Sequence, residues 1–223
     1  MRIISPTLGA EEPVFLHHCP THPKIMIMSE TRVRHSLIVR FFLHLHTVNT
    51  HRFEVMKNCF ACGLYWQGLT HDLSKYQPAE FFESVRYFQG NRSPYMYEKE
   101  HFGYAGGWMH HKGRNKHHWE YWYDLKDGIW QPLKMPFPYF VEMICDRVAA
   151  CRIYQKDACT SSSALVYFNT RNDRLYMHPE NAEQLKLVLE EIAEKGEKPV
   201  FEKLRQQMKE YRKHNNRRKG KTD

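Results

Sequence analysis

His71 and Asp72 are neighbours in Thr-His-Asp-Leu-Ser-Lys (residues 70–75), with His51 ahead of them and Asp146 far behind. Between lies a dense cluster, His110-His111-Lys112-Gly113-Arg114-Asn115-Lys116-His117-His118. Imidazole and carboxylate suit the same borderline divalent cations. A hydrolytic metal site combines neutral imidazoles with carboxylates and leaves positions open for water and substrate. His51, His71, Asp72 and Asp146 supply four such ligands, which points to a metal-dependent hydrolase. The ion expected there is a divalent transition metal (Mn, Fe, Co, Ni or Zn); the residues do not choose among these, or between one ion and two.

Helices must bring these residues together. Thr50 is placed to cap a helix over residues 51–62, with Gly63 as its stop. On that helix His51, Val55, Cys59 and Cys62 share one face, so His51 points where the apolar residues point. A second helix, about 66–75, carries His71-Asp72 near its end. Pro78 opens a third helix that closes at Gly90, and residues 91–107 read as loop. The histidine cluster then spans a helix end and a loop. Asp127-Gly128 between residues 121–125 and 129–133 signals a short β-hairpin. Pro136 and Pro138 precede a helix over 139–154 on which Met143, Asp146, Ala150 and Ile153 share a face. A charged Asp146 among core-facing residues is costly unless it binds a metal or pairs with an arginine, for which Arg152 and Arg114 are candidates. Two amphipathic helices, 179–195 and 199–212, follow.

The 223 residues, 42% hydrophobic, suffice for one well-buried domain. The apolar run from Leu37 to Leu45 is interrupted by Arg40 and His44 and is too short to span a membrane. No secretory signal pattern opens the chain, and a cytoplasmic location is expected. Cys59-x-x-Cys62 lacks a second cysteine pair for zinc and reads as buried, reduced thiols. The expected organisation is an irregular N-terminal arm over 1–30, a helical domain over 31–212 and a basic flexible tail over 213–223. The net charge of +8 is concentrated towards that end, which makes nucleic acid a candidate partner, although a solvated terminus accounts for it more simply.

Several longer stretches carry a resemblance. Gly-Leu-Tyr-Trp-Gln-Gly-Leu-Thr-His-Asp-Leu-Ser-Lys-Tyr (63–76), Tyr-Phe-Gln-Gly-Asn-Arg-Ser-Pro (87–94), His-His-Lys-Gly-Arg-Asn-Lys-His-His-Trp-Glu-Tyr-Trp (110–122) and Glu-Met-Ile-Cys-Asp-Arg (142–147) resemble a family of small bacterial and phage proteins known only as a domain of unknown function. The likeness covers about residues 42–192 and brings no established activity. On fewer residues, the order His51, His71-Asp72, Asp146 resembles the HD-domain superfamily of metal-dependent phosphohydrolases. That resemblance implies a mainly α, single HD-domain-like helical bundle acting on a small anionic phosphorylated substrate, with nucleotides the favoured class. It implies that His51, His71, Asp72 and Asp146 hold the first metal and that Asp72 bridges or orients water. Lys75 would meet a phosphoryl oxygen, and Lys112, Arg114 and Lys116 would favour an anion. The histidine pairs would hold a second metal or protonate the leaving group; His111 and His117 are the members selected, and either residue of each pair could be the one turned inward. Where two-metal members often have Gly-Tyr-Pro after the cluster, this chain has Gly-Arg-Asn.

The alternative is a non-catalytic helical module binding nucleic acid or a nucleotide through the histidine/basic loop and basic tail. Such a binder has no use for carboxylates such as Asp72 and Asp146 beside its basic loop, whereas a metal site needs them.

Overall fold

Ser36 starts the first helix by accepting a hydrogen bond from the Val39 amide, and the helix, α1, runs Leu37–Ala61. The computed structural model describes residues 35–90 and 92–219, with side chains to residue 217. The arm assigned to residues 1–30 lies outside the described residues, as does the end of the tail. Thr50 is interior to α1 rather than its cap: its hydroxyl donates to the His46 carbonyl at 2.8 Å, the in-helix alternative open to threonine. Gly63, at φ +78°, ends the helix as expected.

The remaining helices are α2 (Tyr65–Thr70), α3 (Pro78–Tyr87), α4 (Pro94–Phe102), α5 (Gly106–Arg114), α6 (Phe137–Gln155), α7 (Ser163–Thr170), α8 (Pro179–Lys195) and α9 (Glu197–Lys219). One antiparallel hairpin joins β1 (Tyr123–Lys126) to β2 (Ile129–Pro132), with Leu125 opposite Trp130. Its turn residues Asp127 and Gly128 both have positive φ, the conformation a two-residue hairpin turn demands. The fold is therefore mainly α with a single two-stranded hairpin among the described residues.

Two further boundaries differ from the sequence pattern. Residues 91–107 are not all loop, because Pro94 begins α4 and Gly103 ends it in the left-handed conformation. The last helix continues beyond Arg212 to Lys219.

The core lies where α1 and α6 pack together and α8 and α9 close over them. Val55 and Cys59 from α1, Ile144 and Cys145 from α6, Leu185 and Leu189 from α8 and Leu204 and Met208 from α9 are fully buried within it. Each aliphatic side chain of this kind contributes about 1.5–3 kcal/mol. Cys59, Cys62 and Cys145 are free thiols in this core, with 3.7 Å between the Cys62 and Cys145 sulfurs. None of the described helices is long and apolar enough to cross a membrane.

Candidate metal centre

The helix expected over 66–75 breaks at the pair that matters most. α2 ends at Thr70, and Asp72 takes the left-handed conformation (φ 54°, ψ 26°) before a 3-10 turn over Leu73–Tyr76. A non-glycine residue there is uncommon and persists where its surroundings hold it. The holding group is Arg52 of α1, whose Nε donates to the His71 carbonyl at 2.7 Å and whose Nη2 donates to the Leu69 carbonyl at 2.9 Å. α2 lies close on α1 because Gly68 has no side chain; a Cβ there would stand 3.0 Å from that of Cys59. The break turns both His71 and Asp72 inward, each 2% exposed.

Asp72 sits at the middle of two ligand sets. Its Oδ2 is 3.7 Å from His51 Nε2 and 3.5 Å from His71 Nε2. Asp146, delivered by α6, completes that set: its Oδ1 is 3.0 Å from His51 Nε2 and 3.7 Å from His71 Nε2. On the other side, Asp72 Oδ1 is 3.3 Å from both His111 Nε2 and His117 Nε2. His118 joins this second set, its ring centre 4.8 Å from that of His111 and 4.3 Å from that of His117. The Nε2 atoms of His51, His71, His117 and His118 and the Asp72 Oδ1 are buried yet make no aligned hydrogen bond. Buried polar atoms are ordinarily paired. A converging group of unpaired imidazole nitrogens around carboxylate oxygens fits a divalent cation, and both sets have donor types that suit a borderline transition metal.

The outer nitrogens are anchored by two glutamates. Glu142 Oε1 accepts from His71 Nδ1 at 2.9 Å and faces His117 Nδ1 at 3.3 Å. Glu80 Oε2 pairs with His111 Nδ1 at 2.8 Å, and its Oε1 with His110 Nδ1 at 2.6 Å. Ser74 donates to Glu80 Oε2, and the Asn115 amide donates to the Ser74 hydroxyl. Carboxylate partners of this kind fix the tautomer and ring orientation of metal-binding histidines. The sequence reading missed both glutamates. Glu142 lay inside the Glu-Met-Ile-Cys-Asp-Arg stretch, one helical turn before Asp146, and that spacing was the available signal.

Burial opposes every charge in the centre, and the balance differs from group to group. For Asp72 it is outweighed by His71, Lys75, His111 and His117, which hold the carboxyl well below its usual range. For Asp146 it is outweighed by His51 and His71, to the same effect. At His71 burial is overcome by Asp72, Asp146 and Glu142, and the imidazole titrates well above its usual value. Burial prevails at His51 and His111, and at His118, where His117 and His111 add repulsion, it lowers the pKa strongly. Neutral imidazole is the form that ligates a metal, so an ion held by His71 would displace the proton that Asp72, Asp146 and Glu142 favour there.

A cavity of about 390 Å³ opens onto the centre. His51, Asp72, Lys75, His111, His117 and Asp146 all line it, whereas His71 stands behind them. Lys112, Arg114 and Lys116 are not among its lining residues; the Lys116 ammonium lies over the rings of Tyr121 and Tyr139. The cations in the wall besides Lys75 are Arg92, Arg147 and Arg171. Arg147 and Arg171 both face Asp173, at 3.5 and 3.4 Å. Arg152 and Arg114 do not pair with Asp146: Arg152 engages Glu54 and Glu197 instead. Of the doubled histidines, His111 and His117 face Asp72, while His110 turns to Glu80.

A family model matches residues 40–195, and the chain belongs to that family, the family of unknown function DUF5662. No curated protein and no solved structure matches the chain. None of these comparisons connects it to the HD-domain superfamily.

Proposed function

From membership of a family without an assigned activity, and from the geometry of the buried centre, we propose that this chain is a metal-dependent phosphohydrolase acting on a small phosphoester. The observation that carries the reading is the placement of Asp72, whose two oxygens each face a separate pair of histidines. His51, His71 and Asp146, joined by the Asp72 oxygen that faces both histidines, would hold one divalent ion; Asp72, His111, His117 and His118 would hold a second. Bound there, such an ion supplies Lewis acidity, lowering the pKa of water and polarising a phosphoryl oxygen.

The chain's own groups do the rest. Lys75 lines the cavity one turn from the His-Asp pair and offers a point charge to a phosphoryl oxygen. Arg92, Arg147 and Arg171 also line the wall, paired there with Glu100 and Asp173, and a phosphoryl group would have to compete for them; Tyr95, Trp108 and Trp119 give the cavity apolar faces. The volume suits a small molecule, with nucleotides the favoured class. The order His51, His71-Asp72, Asp146, similar to that of the HD-domain phosphohydrolases, supports the same chemistry by analogy.

The test is phosphate release from a panel of phosphomonoesters, nucleoside monophosphates included, by protein loaded with Mn, Fe, Co, Ni or Zn. Metal-dependent turnover that Asp72→Asn abolishes is the expected result. Loaded protein that hydrolyses no member of the panel, yet binds RNA or DNA in a salt-dependent manner, would favour the non-catalytic module.

A further inference from the structure

We propose that Glu142 is a positioning residue that couples two ion sites by orienting one histidine of each through a single carboxylate oxygen. This rests on the metal reading above and extends it to how the two sites depend on one another. Glu142 Oε1 is 2.9 Å from His71 Nδ1 and 3.3 Å from His117 Nδ1. The two rings lie against each other, their centres 4.3 Å apart. His71 Nδ1 donates to Glu142 and His117 Nδ1 faces the same oxygen, so each Nε2 is directed inward: His71 Nε2 towards Asp72 Oδ2 at 3.5 Å, and His117 Nε2 towards Asp72 Oδ1 at 3.3 Å.

The two histidines therefore serve different sets while sharing one anchor. Glu142 is 5% exposed, so water does not compete for its oxygens. It is set one turn before Asp146 on α6, and that helix thus delivers both a ligand and the group that orients two others. Glu80 provides the contrast. It is also buried, but the histidine it holds within the ligand sets is His111 alone; its other oxygen takes His110. Loss of Glu142 should weaken both ions together, whereas loss of Glu80 should weaken only the ion served by His111.

The experiment uses the full chain, stripped of metal and titrated with Mn(II), with the two affinities read by chelator competition and by electron paramagnetic resonance. In Glu142→Gln both affinities are expected to fall by about 10- to 100-fold, the usual effect of removing such an anchor. In Glu80→Gln one affinity falls and the other holds. A merely structural Glu142 would lower the melting temperature of the stripped protein and leave the affinities alone. Affinities unchanged in Glu142→Gln, or one weakened without the other, would overturn the proposal. A wild-type chain that takes up none of Mn(II), Fe(II), Co(II), Ni(II) and Zn(II) would overturn the metal reading itself, and the coupling with it. Histidine ¹⁵N spectra of the Zn(II)-loaded wild type give a check that needs no variant. Nδ1–H on both His71 and His117 is expected, and Nε2–H on either contradicts the assignment.

Discussion

The Lys75 ammonium lies 2.6 Å from Asp72 Oδ2, the same oxygen that faces His51 and His71. The 3-10 turn that follows the left-handed Asp72 brings the two together. Their pairing raises the Lys75 pKa above its usual value against the effect of burial, and helps to hold that of Asp72 well below its own.

Lys75→Met should therefore destabilise the metal-stripped protein. Removing one partner of a buried ion pair costs up to about 3–5 kcal/mol, a loss that His71, also facing Asp72, reduces here. Added divalent ion supplies the missing positive charge, so the difference in melting temperature between variant and wild type should narrow on loading. Thermal melts with and without Mn(II) read both effects. Equal melting temperatures in the stripped state would contradict the pairing.

His44 should set part of the acid limit. It is buried on α1 against the rings of Phe81 and Phe88, at centroid distances of 5.1 and 5.7 Å. Burial, with Lys75 adding to it, lowers its pKa from 6.5 to about 4. The unfolded chain then takes up a proton that the folded chain refuses, so the stability from a neutral His44 is full above about pH 6.5 and declines as the pH falls towards 4. His44→Leu is expected to flatten that decline in urea melts at pH 7 and pH 5. An unchanged slope would mean that His44 is protonated in the folded protein.

Glu98 should act with the opposite sign. It is buried on α4, and burial together with the hydrogen bond and charge of Glu83 raises its pKa from 4.5 to about 8. The folded protein retains a proton that the unfolded chain loses, so this contribution is full below about pH 4.5 and is lost as the pH rises through 8. Glu98→Gln should make stability less dependent on pH between those values, leaving the variant ahead of wild type at pH 8. Parallel melting curves would contradict a shared proton.

Much of the fold was legible because apolar spacing and end signals agreed. Pro136 and Pro138 at the start of α6, Pro179 as the first residue of α8 and Asp127-Gly128 in the hairpin all mark elements near where they occur. The His-Asp pair was legible as chemistry but not as geometry. Residues 66–75 carry no glycine or proline near Asp72 to announce a break; the left-handed residue is imposed by Arg52, a tertiary contact invisible in local pattern. The same limit hid Glu80 and Glu142, whose partners come from other elements. It also hid the cavity arginines, since Arg92, Arg147 and Arg171 stand outside the histidine cluster where the basic residues are densest. Of the neighbours His110 and His111, helix geometry could say only that one faces inward; both meet Glu80, and it is His111 whose other nitrogen faces Asp72.

The measurement to make first is metal content by inductively coupled plasma mass spectrometry, comparing tag-free wild type with the His71→Ala/Asp72→Ala double variant. Near-stoichiometric divalent transition metal in the wild type, lost in the variant while the helical circular dichroism is retained, is the expected result. A wild type that carries no metal, even after incubation with manganese, iron and nickel salts, would contradict the metal centre at Asp72 and the hydrolase reading built on it.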